Sequence, residues 1–171
     1  MIRSVLLTDL SRIAEIQIAG WRNAYRGLIS DYELFTERQV VFTVERLKKR
    51  MAEKNTMIVY EDEEDQILKG FAWHGISRDE DKPNTYEVYA IYVQPEFTRI
   101  GIGEKLMNSV FEIAKKEKYQ EIMIWVLDGN KKGSNFYKKI GFFEDGKKKK
   151  IEKWNREENR MIRLLTIASS L

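Results

Sequence analysis

The most constraining stretch of this sequence is Tyr92-Val-Gln-Pro-Glu-Phe-Thr-Arg-Ile-Gly-Ile-Gly-Glu-Lys-Leu-Met107. Leading into it, residues 85–93 are rich in β-branched and aromatic side chains, the mark of a strand. Beyond it, Leu106, Met107, Val110, Ile113 and Ala114 recur at helical spacing and end among Lys115, Lys116 and Lys118. Glycines 101 and 103 therefore stand where a strand gives way to a helix. Glycine tolerates positive φ, so successive amides can turn toward one point, and the helix dipole adds partial positive charge there. Such a junction suits a phosphate. Two familiar phosphate loops do not describe it. A dinucleotide fingerprint needs glycine or alanine where Leu106 stands, and a P-loop needs Gly-Lys-Ser/Thr, which occurs nowhere in the chain.

The rest of the chain alternates between the two periodicities. Residues 2–7 read as a short strand, and Leu10, Ile13, Ile16, Gly20 and Trp21 then fall at helical spacing, with Thr8 or Asp9 as the cap. After Gly27 a second helical stretch begins at Ser30 or Asp31 and runs, with interruptions, to about Lys54; its Lys48, Lys49 and Arg50 form a solvated face. Met57–Tyr60, the acidic run Glu61–Asp65 and Ile67–Ser77 spell a hairpin, with the acidic run as a solvated turn. A polar turn over 78–83 leads to a third paired strand, Thr85–Val93. Past the glycine-flanked helix, Glu121–Leu127 is a buried-type strand and Asn130–Ile140 a helix stopped by Gly141. Residues 142–151 and 160–167 read as terminal strands around a loop at 154–159, with Lys147–Lys150 as a solvated run. The fold class is mixed α/β, in one domain over 1–171.

Composition removes several chemistries. Hydrophobic residues make up 43% and charged residues 33% of 171 residues, with two prolines and ten glycines, as in a chain that builds a core. Cysteine is absent, so there is no disulfide, thiolate nucleophile or cysteine-ligated zinc, and His74, the single histidine, gives no cluster for a metal. The apolar core of the first residues is too short for a signal peptide and no window is long enough for a membrane helix, so a cytoplasmic protein is expected. Residues 1–98 carry a net charge of −4 and residues 99–171 a net charge of +7. A basic half suits a polyanion, but no nucleic-acid motif accompanies it, and the aromatic residues follow strand and helix periods rather than interleaving the lysines.

The run Ile91-Tyr-Val-x-Pro-Glu-Phe-x-Arg-x-Gly-Ile-Gly-x-x-Leu106, followed by Asn130-x-x-Gly-x-x-Phe-Tyr-x-x-x-Gly-Phe142, resembles the Gcn5-related N-acetyltransferase (GNAT) superfamily. The order of elements extends the resemblance over nearly the whole chain. It implies a central, mixed, mostly antiparallel sheet of about seven strands with about four helices on its faces, and acetyl-CoA as cofactor. It also implies roles residue by residue. Ile91 and Val93, flanking Tyr92 on a splayed fourth strand, would offer backbone groups to the pantetheine arm and the acetyl carbonyl. Thr98, Arg99, Ile100, Gly101, Ile102 and Gly103 would cradle the pyrophosphate, with an amide from Glu104. Asn130 would hydrogen-bond the pantetheine, Phe136 would pack beside it, and Tyr137 would stand near the sulfur. The chain departs from the family at Thr98, where Gln or Arg is usual, and Arg99 or nearby lysines would compensate. Trp21, Tyr25, Leu28 and Ile29, in the segment Trp-Arg-x-Ala-Tyr-Arg-Gly-Leu-Ile, would line the acceptor pocket.

Acyl transfer to an amine needs a neutral nucleophile, donors for the carbonyl oxyanion and a proton for the departing thiolate. Without cysteine, direct attack on the thioester in a ternary complex is expected, with amides of 85–93 as oxyanion donors. Tyr137 is the candidate acid. Glu87 is the candidate base, because alternation places it on one strand face with Tyr89, Ile91 and Val93; ordered water is the other route, and His74 reads first as a core residue. The reading is an N-acetyltransferase for a primary amine of a small molecule, polyamine, peptide or protein amino terminus; the oligomeric state is left open, a homodimer being common in the superfamily. A catalytically silent acyl-CoA sensor is the alternative.

Overall fold

The computed structural model describes residues 1–52 and 56–166. Along the chain run β1 (Ile2–Ser4), α1 (Leu10–Tyr25), α2 (Val40–Ala52), β2 (Thr56–Glu61), β3 (Leu68–Ile76), β4 (Tyr86–Val93), α3 (Ile102–Lys116), β5 (Glu121–Leu127), α4 (Lys131–Lys139), β6 (Phe143–Ile151) and β7 (Arg156–Leu164). The strands form one sheet in the order β1-β2-β3-β4-β5-β7-β6. β4 and β5 are parallel, as a strand pair joined through a crossover helix must be, whereas β1/β2, β5/β7 and β6/β7 are antiparallel. The mixed α/β class and the seven strands expected from the sequence are present. The chain groups into two compact units, Met1–Trp73 with Ala90–Met107, and His74–Tyr89 with the chain from Asn108 onward.

In the first unit α1 buries Leu10, Ile13, Ile16 and Trp21 on one stripe. β1 is shorter than the expected strand over residues 2–7 because Asp9 ends it. The Asp9 carboxylate accepts from the Leu6 amide at 2.7 Å and from Arg3 at 2.7 and 3.1 Å, and Leu7–Asp9 coils into a 3-10 turn. Burial works to raise the Asp9 carboxyl, but the bonds from Arg3 and Leu6 outweigh it and hold it below the usual carboxylate range. The helical stretch expected from residue 30 onward is divided. A π-helical turn at Glu33–Glu37 buries Leu34, whose carbonyl accepts from Arg22 Nε at 3.0 Å. Arg38 then leaves helical geometry (φ −105°, ψ 99°) before α2 begins at Val40; the expected end near Lys54 lies outside the described residues.

The acidic run is structural rather than merely solvated. Buried Lys69 on β3 bonds Asp62 at 2.9 Å and Asp65 at 2.8 Å, and Glu61 accepts from Arg3. A buried ammonium requires such partners, so the turn supplies them. Next to Lys69, Gly70 permits a close approach: a Cβ there would lie 3.1 Å from both Leu106 Cδ1 and the Tyr92 carbonyl oxygen and 3.2 Å from Ile102 Cγ2.

The second unit is built on β5, where Ile122, Met123, Ile124 and Val126 are buried. Arg160 on β7 is buried and bonds Asp79 (3.1 Å), Asp81 (2.9 Å) and Asp145 (2.8 Å), and Trp125 Nε1 also donates to Asp79. β7 starts at Arg156, so residues 156–159, expected to be loop, are strand. Asn155 makes this possible by taking a left-handed conformation (φ 45°), which closes a tight reversal and sets Lys149 opposite Glu158 and Lys150 opposite Glu157. β7 ends at Leu164, and Ile167 lies outside the described residues. Lysines of the 147–150 run pair with acids: Lys148 with Glu157 and Lys149 with Glu158, both at 3.2 Å.

His74 sits in the core of this unit, fully buried, with Nδ1 2.8 Å from the Tyr86 hydroxyl and Nε2 without a partner among the described residues. Burial pushes its pKa down to about 4, so the ring stays neutral where a catalytic histidine would cycle its proton.

Two outcomes follow from these contacts. Gly70→Ala forces the Tyr92 backbone or α3 to give way, and is expected to lower unfolding stability by about 1–2 kcal/mol in urea denaturation. Because folded His74 resists protonation while the unfolded chain accepts a proton near pH 6.5, the stabilising contribution is complete above that value and fades as pH falls toward about 4. Unfolding free energy is expected to drop by about 2 kcal/mol between pH 7 and pH 5, and the drop should vanish in His74→Phe.

Candidate active site

The last residues of β4 enter the first unit, where Gln94 N donates to the Lys69 carbonyl at 2.8 Å. Pro95–Phe97 forms a 3-10 turn, closed by the Thr98 hydroxyl donating to the Pro95 carbonyl at 2.9 Å. Arg99 and Gly101 then both take positive φ (65° and 86°) on either side of Ile100. Thr98, Arg99 and Ile100 are exposed, whereas Ile102, Leu106 and Met107 are buried and root the bend. A Cβ on Gly101 would meet nothing within 4 Å, so the space beside it is open. α3 starts at once: Lys105 N donates to the Gly101 carbonyl at 3.0 Å, and first-turn amides such as those of Ile102 and Gly103 have no carbonyl partner within the helix.

Alternating left-handed backbone at a helix start makes a concave run of amides with partial positive charge. Open space at Gly101, the exposed cation of Arg99 and the dipole of a 15-residue helix fit a coenzyme diphosphate. Thr98, expected in this cradle, closes the preceding turn with its hydroxyl.

Tyr92 lies against α1. Gly20 makes room for it, since a Cβ at position 20 would be 2.6 Å from Tyr92 Cδ1, and Phe71 packs on its ring at 6.0 Å. On the next residues of α1, Trp21 is buried and meets Tyr25 edge-on at 5.6 Å. Gly27, at φ 82°, reverses the chain so that the amides of Leu28 and Ile29 both donate to the Tyr25 carbonyl at 2.9 and 3.0 Å, with Ile29 buried. The expected acceptor residues are thus one local structure. Arg38, which lies in the interrupted helical stretch expected from residue 30 and carries no signal of its own in the sequence, joins them by laying its guanidinium 4.1 Å over the Trp21 ring.

Glu87, Asn130, Phe136 and Tyr137 belong to the second unit. Glu87 is buried, and its carboxylate accepts from the Arg78 amide at 2.8 Å and from the Arg78 guanidinium at 2.5 to 3.3 Å. Arg78, in a polar turn with no periodicity, gave no sequence signal of this pairing. Asn130 caps α4, its Oδ1 accepting from Gly133 N at 3.0 Å, and a Cβ at Gly133 would lie 2.7 Å from Asn130 Nδ2 and displace the capping side chain. Tyr137 is buried in an aromatic cluster, edge-on to Phe136 at 5.2 Å and to Phe142 at 5.8 Å; Gly141, at φ 91°, turns the chain so that the Phe142 amide returns to the Tyr137 carbonyl at 3.0 Å. Among the described residues no group of three or more acidic or histidine side chains is placed to hold a metal ion, and no helix is long and apolar enough to cross a membrane.

The chain is similar to an uncharacterized N-acetyltransferase of Methanocaldococcus jannaschii, 36% identical over 47% of this chain and spanning only 34% of that protein. It is 27% identical to the spermidine N(1)-acetyltransferase of Thermoplasma acidophilum, over 82% of this chain and 86% of that one. The crystal structure of an N-acetyltransferase from Thermoplasma acidophilum in complex with coenzyme A has the same fold, with a TM-score of 0.76 at 24% identity over 96% of this chain and 98% of that one. The sequence profile of the acetyltransferase (GNAT) family covers residues 18–142, a span that takes in the C-terminal half of α1, the glycine bend and the whole of α4, and the chain belongs to that family.

Proposed function

We propose that this chain transfers the acetyl group of acetyl-CoA to a primary amine by direct attack, with both reactants held at once. The observation that carries the reading is the bend at Arg99–Gly103, where two positive-φ residues, open space and a helix start converge. When bound, acetyl-CoA supplies the activated acetyl thioester. The amides of the bend, with that of Glu104, bind the diphosphate and Arg99 adds charge. Backbone groups of Ile91 and Val93 orient the pantetheine arm and donate to the carbonyl oxygen, Asn130 hydrogen-bonds the arm, and Phe136 packs beside it.

Tyr137 holds the proton for the departing sulfur at its phenol oxygen. The phenol donates this proton as charge develops on the sulfur in the transition state. With the oxygens of Glu87 accepting from Arg78, the proton of the amine leaves through ordered water, and Glu87 fixes Arg78. The chain has no cysteine, which excludes a cysteine-borne acyl relay. Trp21, Tyr25, Leu28 and Ile29 shape the acceptor side.

Gly101→Trp places an indole in the open space and strains a left-handed backbone, so calorimetry is expected to detect no binding of coenzyme A; unchanged affinity would remove the bend from the mechanism. Tyr137→Phe is expected to lower turnover at least about tenfold in a thiol-release assay, with coenzyme affinity little altered. Full activity of that variant would leave the phenol with packing alone.

A further inference from the structure

Several arginines of this fold are tied to carboxylates. Arg3 bonds Asp9 and Glu61, Arg78 bonds Glu87, and Arg160 bonds three aspartates. Arg38 is different. It is half-buried, stacked over Trp21, and makes no hydrogen bond or ion pair among the described residues. Its electrostatic neighbours are Tyr92 and Tyr25, a like charge from Arg46, and the more weakly acting carboxylate of Glu37, the preceding residue. Desolvation holds its pKa below that of a free guanidinium, a cost that Tyr92, Tyr25 and Glu37 do not fully offset.

The fold also goes to some length to place it. Buried Leu34 and the bond from Arg22 to the Leu34 carbonyl pin the π-helical turn, and the break into extended backbone at position 38 turns the guanidinium onto Trp21. Tyr92, an electrostatic neighbour of Arg38, lies between Ile91 and Val93, whose backbone is proposed to orient the thioester arm. A fork of five donors stacked on an indole and left without an acceptor is a site for a planar anion. One unpaired guanidinium, with Arg46 as its neighbouring cation, matches a singly charged carboxylate better than a phosphate dianion, and it repels a polyamine.

Resting on the acetyltransfer reading above, we infer that the acceptor is an amine that also carries a carboxylate, such as an amino acid or short peptide, and that Arg38 binds that carboxylate beside Trp21. The test is a thiol-release panel of small amino acids and dipeptides, each offered as the free acid and as its carboxamide, with spermidine included. The free acids are expected to show a KM at least about tenfold below their carboxamides, a preference that collapses in Arg38→Gln and returns in part in Arg38→Lys, with coenzyme A affinity by calorimetry the same in all three proteins. Equal use of acid and carboxamide, preference for spermidine, or an Arg38→Gln effect shared by both members of each pair would overturn the assignment. If no amine is turned over, the acetyltransfer reading fails, and calorimetric titration of the same free acids decides the carboxylate site by itself. Binding to the wild type that is lost in Arg38→Gln supports the site, whereas no binding, or equal binding, overturns it.

Discussion

Close contact at Gly70 is the constraint on which the first unit depends. Because residue 70 has no side chain, β3 comes within van der Waals reach of the Tyr92 carbonyl and of Ile102 and Leu106, and the start of α3 is pinned to the sheet. The left-handed residues Arg99 and Gly101 can then hold an open bend over a rigid base, with Ile102 buried directly beneath. A flexible bend would lose binding free energy in ordering itself each time an anion arrived; a rooted one has met that cost during folding. Gly20 does the same for the other side of Tyr92, letting α1 settle against the ring.

Three cations taken from water are met by acids: two for Arg3, two for Lys69, three for Arg160. Several of these acids lie in turns, which explains why a run such as Glu61–Asp65 looks like solvated surface until its partner on the neighbouring strand is known. Arg38 is met differently, stacked on an aromatic ring with tyrosines as electrostatic neighbours.

Local pattern carried most of the architecture. Helical spacing located α1 and α3, alternation and β-branched content located β4 and β5, and the paired glycines marked the strand-to-helix bend. Failures of the reading come from single residues whose backbone conformation or side-chain contact carries no period. Asp9 cuts β1 short by capturing the Leu6 amide, Leu34 and Arg38 split a helical stretch by reaching inward, and Asn155 turns a supposed loop into strand by adopting a conformation that only its local energetics permit. The bend and the local structure of the aromatic segment Trp21–Ile29 were legible because each is contiguous in sequence. Arg78 on Glu87 and Arg38 on Trp21 were not, since each joins residues from different elements and neither carries a period or a motif.

β6 is the last strand of the sheet, and its outer edge has no neighbour in the strand order. Its residues 147–150 are all lysine, and Gly146, at φ 87°, lies where the pairing with β7 slips between Glu144 and Lys148. Concentrated like charge and a local irregularity both oppose the docking of a foreign strand. The basic tract therefore acts as a guard against cross-molecular sheet extension, keeping a chain with an open border from polymerising along it.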